Sequence, residues 1–451
     1  MGSPNGRGGR VVCVRSYATI VLVCILTLLP GALQVTRAQE LLLSEADRLC
    51  AGVNEQMTAW RRDMHQHPEL SNREVRTAEL VAGHLRKCGM DVRTGMAHTG
   101  VVGVLRGSKA GPVVALRADM DALPVTEAVD LPFASKVKAV YNGREVGVMH
   151  ACGHDVHTAV LMGAAQVLSQ MRGELAGTVK FIFQPAEEGA PKGEAGGARL
   201  MIQEGVLDDP KPEVIFGLHV SPLYRVGTIA CRSGAAMASE DGLRIVVRGR
   251  QTHGASPWGG VDPIVTASQI VLALQTIISR QVDLPEAPAI ITIGSIHGGV
   301  RSNIIPDEVE MVGTIRTFLP EMRSDIHERI RRTATLIAQS SGASADVAIT
   351  EGYPVTFNDP NLTERMLPVL GAVVGQSNTV TVPLVTGAED FSYYEQQIPG
   401  LFFFLGVTPQ NADPKEAPTC HSPHFCPDES ALAIGVRALT HLTIAYMGME
   451  E

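Results

Sequence analysis

Short apolar runs alternate with amphipathic helical patterns along most of this chain. Between residues 100 and 230 the apolar runs are rich in β-branched residues, which predicts strands at Val101–Leu105, Val113–Leu116, Val179–Phe183 and Val214–Leu218. Helical patterns at about 155–171 and 196–205 separate the later runs. This alternation favours the α/β class, with a mixed, largely parallel sheet that is covered by helices.

From about residue 230 the pattern becomes that of a second, smaller unit. It predicts strands at 242–248, 289–296 and 308–318 and helices at 261–280 and 321–340. We therefore expect an α+β domain of residues 230–345, inserted into a domain made of residues 45–229 and 346–446. A strand near 346–350 is assigned to the resumed first domain.

The first 38 residues have the pattern of a secretory signal peptide. Three arginines precede an apolar run from about Tyr17 to Leu29, and Thr36-Arg37-Ala38 provides a small-residue cleavage site. The run is well short of the roughly 20 residues that a membrane span needs. We expect a protein of the endoplasmic reticulum lumen or a secreted one, without a KDEL-type tail and with one glycosylation sequon at Asn361.

The net charge limits the classes of partner, and the cysteine count limits the number of disulfides. The formal net charge of −9 has no basic tract within it, so neither nucleic acid nor a membrane is expected as a partner. Six cysteines remain beyond the signal peptide, too few for a disulfide scaffold in a chain of this length. Cys420 and Cys426 bracket a histidine, and a disulfide between them would rigidify that loop.

The segment His150-Ala-Cys152-Gly-His154-Asp155 carries the clearest chemical signal. A thiolate, imidazoles and a carboxylate suit a first-row divalent metal, and further candidate ligands follow: Glu187-Glu188, His219, and His421 or its neighbour His424. The glutamate pair offers one carboxylate to hold metal and one to move protons. A buried structural cysteine, or a Cys152 nucleophile with His154 as its base, are the alternatives.

Six separated motifs together resemble a known family. They are Arg117-Ala-Asp-Met-Asp-Ala-Leu-Pro124, His150-Ala-Cys-Gly-His-Asp155, Gln184-Pro-Ala-Glu-Glu-Gly189, Gly217-Leu-His219, Ser302-Asn-Ile-Ile-Pro-Asp307 and Gly387-Ala-Glu-Asp-Phe-Ser392. In this order they resemble the amidohydrolase branch of the aminoacylase/carboxypeptidase metallopeptidases over roughly residues 45–446. With the signal peptide, the resemblance is strongest to the plant indole-3-acetic acid (auxin)–amino acid hydrolases.

The resemblance implies roles for individual residues. It makes Glu187 the general base and acid, His253 a residue that reaches the partner's active site and polarises the scissile carbonyl, and Asn303 a contact for the polar end of the substrate. It implies a homodimer through residues 230–345 and two metal ions per subunit, generally manganese in the plant branch, with zinc or cobalt as alternatives. The implied metal ligands are Cys152, His154, Glu188, His219 and His421.

The predicted function is that of a metal-dependent amidohydrolase. Its small-molecule substrate would be an N-acyl amino acid, in particular an auxin–amino acid conjugate, which is cleaved to the free acid and the amino acid. A general aminoacylase or carboxypeptidase on the same scaffold is the enzymatic alternative, and a luminal binding protein without catalysis is the third. Aromatic residues make up only 4% of the chain and do not identify an indole pocket.

Overall fold

The computed structural model describes residues 37–449, and residues 1–36, which carry nearly all of the predicted signal peptide, lie outside this range. Its helices are α1 (Arg37–Gln66), α2 (Val75–Lys87), α3 (His154–Gln170), α4 (Gly197–Gln203), α5 (Pro263–Gln281), α6 (Pro320–Ser340), α7 (Pro360–Val374), α8 (Ser392–Glu395) and α9 (Ala431–Met447). Within residues 37–449 every helix is too short or too polar to span a bilayer.

The strands of the described range fall into a large sheet, a smaller sheet and three two-stranded ribbons. They are β1 (Asp91–Met96), β2 (Gly100–Arg106), β3 (Lys109–Asp119), β4 (Lys138–Tyr141), β5 (Arg144–Gly147), β6 (Ala176–Gln184), β7 (Val214–Arg225), β8 (Ile229–Cys231), β9 (Gly234–Met237), β10 (Asp241–Arg248), β11 (Thr252–His253), β12 (Ala289–Gly298), β13 (Ile304–Ile305), β14 (Glu308–Thr317), β15 (Ser344–Glu351), β16 (Thr356–Asn358), β17 (Thr379–Thr381) and β18 (Gly400–Thr408).

The large sheet is mixed, with parallel strands at its centre. Its order is β1-β2-β6-β3-β7-β18-β8-β17, and β6, β3, β7 and β18 are mutually parallel neighbours. Helix α3 packs against α1, α9 and the sheet, and is therefore buried around most of its circumference. The predicted fold class, α/β with a mixed, largely parallel sheet covered by helices, is confirmed.

The central parallel strands direct their carboxyl ends to one edge. β3 and β6 are in register up to the pair Asp119 and Gln184, so the loops that follow both strands begin side by side. His219 was expected to close its strand, but β7 continues to Arg225. The pairing of β7 with β3 nevertheless stops at Gly217, so His219 lies beyond it and borders the same edge.

The smaller sheet is antiparallel, in the order β12-β14-β10-β15, and α5 and α6 pack on it around a separate apolar core. The strand expected near 346–350 exists as β15, but its assignment to the first domain's sheet is wrong because it pairs with β10. Exposed and half-buried residues alternate along β15, as is typical of an antiparallel strand with one solvated face. The domain limits otherwise stay a prediction.

Candidate metal centre and active site

Four segments bring the predicted ligands to the carboxyl edge of the large sheet. Cys152 and His154 stand at the start of α3, Glu187 and Glu188 follow β6, His219 lies in β7, and His421 lies in the loop before α9. Their ligand atoms form three overlapping groups, each within 4.8 Å: Cys152, His154 and His219; Cys152, Glu188 and His421; His154, Glu187 and Glu188. The structure thus joins all five predicted ligands and Glu187, and includes His421 rather than His424.

The ring of His154 has the orientation of a metal ligand. Its Nδ1 lies 3.2 Å from Asp121 Oδ1, and because a carboxylate only accepts, Nδ1 carries the proton. Nε2 then presents a lone pair, and it is buried without a hydrogen-bond partner among the described residues. Burial would lower the pKa of His154, but Asp119 and Asp121 raise it well above its usual value. The same negative potential favours a bound cation.

His219 is oriented in the same manner. Its Nδ1 donates to the carbonyl of Val220 at 2.6 Å, which leaves the lone pair of Nε2 directed at Cys152 Sγ, 3.3 Å away. A hydrogen bond with Cys420 raises the pKa of the Cys152 thiol, and burial and Glu188 raise it further. A nucleophilic cysteine needs the opposite shift, whereas a coordinating thiol is deprotonated by its metal.

Glu188 and His421 complete the ligand group from the solvent side. His421 Nε2 lies 3.0 Å from Glu188 Oε1, and this contact raises the pKa of His421. The His421 backbone has φ 69°, and its N–H donates to the carbonyl of Ala151 at 2.7 Å. This hydrogen bond places Cys420 beside Cys152. Cys420 and Cys426 are free thiols, so the disulfide considered for this loop is not formed.

Asp121 organises the centre, although the sequence analysis gave it no role beyond its place in the motif Arg117–Pro124. Oδ1 accepts from His154 Nδ1 and from the N–H of Glu187 at 3.0 Å. Oδ2 accepts from the Ser71 hydroxyl at 2.7 Å and from the N–H of Glu188 at 3.0 Å. One buried carboxylate therefore orients a ligand ring and both glutamates.

Ser71 and Glu74 have the spacing of a capping box but serve the active site instead. Helix α2 begins at Val75 without a side-chain cap, while Ser71 bonds Asp121. Glu74 Oε1 accepts from the N–H of Ala186 at 3.0 Å, and Ala186 has φ 54°. The two side chains thereby support the turn that presents the glutamate pair.

Glu187 lies near the predicted ligand His154, with its Oε2 3.9 Å from His154 Nε2, and it also faces two carboxylates. Its oxygens lie with those of Glu389 and Asp390 in a group within 4.8 Å, and beneath them Arg117 bonds Asp390 at 2.7 Å and Glu389 at 3.1 Å. Burial raises the pKa of Glu187 well above its usual range, and Glu389 adds to the rise. A carboxyl group with a raised pKa is suited to accept and return a proton near neutral pH.

His157 was missed by the sequence analysis. It lies one helical turn after His154 and is satisfied at both nitrogens: Nδ1 donates to Asp119 at 2.6 Å, and Nε2 accepts from the N–H of Val220 at 2.9 Å. Burial lowers its pKa to about 4, so it stays neutral. His157 thereby supports the strand that carries His219. Its spacing of three from His154, which places both residues on the same face of α3, is the signal that could have identified it from the sequence.

His253 lies in β11, which pairs with β13, and Asn303 lies in the turn directly before β13, both in the predicted insert. The N–H of Gly254 donates to the carbonyl of Asn303 at 2.8 Å, and His253 is exposed. Its Nδ1 accepts from the N–H of Ala255 at 3.0 Å, so the neutral ring carries its proton on Nε2 and can donate there. Among the described residues, no hydrogen bond or ion pair joins His253 or Asn303 to the ligand group.

The donor set fits a pair of divalent cations. It combines one thiol, three imidazoles and a carboxylate, with a neighbouring carboxylate left over, and it contains the unpartnered Nε2 of His154. The lone pairs of His154 and His219 are both preset toward Cys152 by partners on the far side of each ring.

Comparison with known proteins agrees with this site. The model of peptidase family M20/M25/M40 matches residues 115–445. The chain belongs to this family. It is 36% identical to the YXEP protein of Bacillus subtilis, described as a dinuclear metal-binding peptidase, with a TM-score of 0.73 over 88% of this chain and 99% of that one. The protein is therefore a hydrolase of amide bonds.

Three curated relatives differ in the substrates that their names state. Thermostable carboxypeptidase 1 of Saccharolobus solfataricus is 44% identical over 85% of this chain and 93% of its own. N-acetylcysteine deacetylase of Bacillus subtilis is 39% identical, over 85% and 95%. IAA-amino acid hydrolase ILR1-like 4 of Arabidopsis thaliana is 38% identical, over 87% and 86%. The family resemblance is thereby confirmed, and plant auxin-conjugate hydrolases are among the relatives.

Proposed function

We propose that this member of the family hydrolyses the amide bond of N-acyl amino acids, with auxin–amino acid conjugates as the candidate substrates. The observation that carries the proposal is the divergence of two adjacent glutamates. Glu188 points to the ligand His421, whereas Glu187 lies among carboxylates with a raised pKa. One site thereby holds a metal ligand and a proton carrier side by side, as hydrolysis by water requires.

The residues of the chain divide the reaction among themselves. The residues that would hold the two cations are Cys152, His154, Glu188, His219 and His421, and for the metal we propose manganese, with zinc or cobalt as alternatives. When bound, these ions supply Lewis-acid polarisation and lower the pKa of water. Glu187 takes a proton from the attacking water and later returns it to the leaving amine, because its own pKa is raised well above its usual range.

The substrate class rests on what the relatives' names have in common. A carboxypeptidase, an N-acetylcysteine deacetylase and an IAA-amino acid hydrolase each act where an amide adjoins an amino acid. The higher identity to the archaeal enzyme, 44% against 38%, favours a carboxypeptidase or general aminoacylase as the second candidate. Purified protein should be assayed with indole-3-acetyl-alanine, N-acetylcysteine and an N-blocked dipeptide, each with manganese, zinc, cobalt or chelator. The auxin proposal is wrong if the dipeptide is cleaved and the indole conjugate is not.

The role of Glu187 is tested by Glu187→Gln. An amide cannot take up the proton, so turnover should fall about 10²–10⁴-fold while metal content stays that of wild type. Glu213→Gln is a matched control, because Glu213 is exposed at the opposite end of β7. Near-normal turnover in a fully metallated Glu187→Gln variant would remove Glu187 from the mechanism, and full activity of wild type in chelator would remove the metals.

We propose that the protein is a homodimer through residues 230–345, in which His253 serves the partner's active site. The support is the exposed ring of His253, whose Nε2–H donor is free to stabilise the carbonyl oxygen that becomes negative during attack. Asn303, which lies in the turn before β13 and bonds the N–H of Gly254, would contact the polar end of the same substrate.

Mixing two inactive variants tests this arrangement. His253→Ala and Glu187→Gln chains, combined in equal amounts and allowed to exchange, should recover up to about a quarter of wild-type activity, since half of the dimers are mixed and each has one intact site. Each variant mixed with itself is the control. If exchange is confirmed and no activity returns, His253 acts within its own chain or not at all.

We also propose that the protein enters the secretory pathway. The proposal is supported by the basic and apolar pattern of residues 1–38 and by the sequon at Asn361, which is exposed at the start of α7. Expression in a eukaryotic cell should yield a chain that starts at Gln39 and becomes smaller on treatment with endoglycosidase. Asn361→Gln is the control for glycosylation, and a cytosolic chain that begins at Met1 would contradict the proposal.

A further inference from the structure

Two chain segments connect the small sheet to the rest of the protein. Residues 238–240 lead from β9 into β10, and residues 352–355 lead from β15 into β16. They run side by side: the N–H of Glu240 donates to the carbonyl of Tyr353 at 2.9 Å, and the N–H of Gly352 donates to the carbonyl of Glu240 at 3.0 Å. We call these two segments the connector.

The connector is attached to the large sheet on one side. β9 and β16 pair with each other, and the Asn358 amide bonds both the N–H and the carbonyl of Phe402 in the buried strand β18. On the other side, β10 and β15 belong to the small sheet. Any change in the angle between the two sheets must therefore be absorbed between these anchors, in residues 238–240 and 352–355.

Tyr353 reaches from this connector to the active site. Its hydroxyl donates to the backbone carbonyl of Glu187 at 2.6 Å, and no other hydrogen bond to that carbonyl occurs among the described residues. Burial and the carboxylates of Asp390 and Glu187 raise the pKa of Tyr353, so the hydroxyl remains a donor. The ring packs edge-on against Tyr393 with 6.0 Å between centroids.

The backbone around Glu187 is held at three points. Asp121 accepts the N–H of Glu187, Glu74 accepts the N–H of the preceding Ala186, and Tyr353 bonds the carbonyl of Glu187. Two of these partners come from the large domain, and the third comes from the connector. Since Ala186 and Gly189 both have positive φ, the turn is set by these contacts rather than by a helix or strand.

We propose that Tyr353 is a positioning residue that couples the orientation of the insert to the placement of Glu187. The insert also carries His253, which we propose to polarise the substrate carbonyl in the partner's active site. A movement of the insert that places His253 there would therefore also adjust Glu187 within its own chain. This coupling rests on the proposed role of Glu187. It assigns to Tyr353 an effect on turnover rather than on metal binding.

The test is Tyr353→Phe in the full chain, with Tyr393→Phe as its matched control. The Tyr393 hydroxyl donates to the carbonyl of Gly352 at 3.1 Å, so its loss removes one hydrogen bond from the same connector without touching Glu187. Because small displacements of a catalytic group cost up to about 100-fold, we expect kcat of Tyr353→Phe to fall about 10- to 100-fold, with KM changed less than about threefold. Metal content and unfolding temperature should match those of Tyr393→Phe.

A double-variant cycle separates positioning from general weakening of the structure. If Tyr353 acts through Glu187, then Tyr353→Phe should lower kcat by less than about twofold in a Glu187→Gln background, where the proton carrier is already lost. Equal kcat in the two tyrosine variants, or the same loss in both backgrounds, overturns the coupling alone. Full activity of Glu187→Gln overturns the proposed function, and the coupling with it, so the two failures are distinguishable.

Discussion

Replacing Asp121 by asparagine should weaken metal binding without removing any ligand. The carboxylate accepts four hydrogen bonds, two on each oxygen, from His154, Glu187, Ser71 and Glu188. An amide keeps one acceptor oxygen and presents a donor in place of the other. Asparagine therefore cannot satisfy all four partners, although its volume is nearly that of aspartate.

The preferred orientation of the new side chain follows from these partners. The amide oxygen should replace Oδ1, because both groups that bond this atom are donors, the Nδ1–H of His154 and the N–H of Glu187. With its other ring nitrogen bound to metal, His154 keeps its proton on Nδ1 and cannot accept there. The amide nitrogen then faces Ser71, whose hydroxyl can reverse and accept, and the N–H of Glu188, which cannot. The backbone of Glu188 loses its acceptor, at a cost of about 1–3 kcal/mol for a buried unpaired N–H.

Metal affinity should report this loss directly. The variant also removes a negative charge beside His154, and changes to such supporting groups lower metal affinity or activity about 10- to 100-fold. We expect the metal dissociation constant of Asp121→Asn, measured by competition with a chelating dye, to rise by that factor. Ser71→Ala, which removes only the hydroxyl, should change it by less than about threefold, since that neutral hydrogen bond can be replaced by water.

The refuting result is equally specific. If Asp121→Asn binds metal as tightly as wild type and turns over at the same rate, the ring of His154 and the glutamate turn are oriented by other contacts. If Ser71→Ala is as damaging as Asp121→Asn, the loss comes from the packing of this loop rather than from the carboxylate.

Three further predictions follow from the same contacts. Cys152→Ser should lower metal content together with activity, because a hydroxyl is a far poorer ligand than a thiolate. Metal analysis after dialysis measures the loss. A wild-type protein that stays active in chelator and whose Cys152 is labelled by iodoacetamide would contradict this prediction. His157→Ala should leave the ligands in place but lower turnover and unfolding temperature, since Val220 and Asp119 lose their bonds. Burial and Asp121 raise the pKa of Glu74 from its ordinary 4.5 to about 8, so wild type should lose stability as pH rises from about 4.5 to about 8, with no further loss from this group above that. Glu74→Gln should not show that loss in thermal scans, and an unchanged pH dependence would refute the assignment.

The strands of the large sheet could be predicted because their apolar runs are continuous. The run Val179–Phe183 lies inside β6, and Val101–Leu105 lies inside β2. These strands are buried in the middle of a covered sheet, where hydrophobicity alone marks them. The convergence of Asp121, Glu187 and His219 was equally accessible, since parallel strands end at one edge.

Local patterns failed where a distant partner decided the outcome. Ser71 and Glu74 have capping-box spacing, yet Ser71 bonds Asp121, which is 50 residues away, and Glu74 bonds Ala186, which is 112 residues away. β15 was assigned to the wrong sheet because its position in the chain says nothing about β10, its actual neighbour. In both cases the partner depended on contacts that no short window of sequence contains.

The different roles proposed for Glu187 and Glu188 have a physical origin that the sequence alone does not contain. Asp121 accepts the N–H of each residue on a different oxygen, so the two peptide units are fixed together at the end of β6. Successive side chains in such a segment point in different directions, and here one meets the imidazole of His421 while the other meets the acidic pair Glu389 and Asp390. A carboxylate beside imidazoles is suited to bind a cation together with them, whereas a buried carboxyl group among carboxylates is biased toward taking up a proton. In the proposed function, two chemically identical neighbours thus differ as ligand and proton carrier through their surroundings alone.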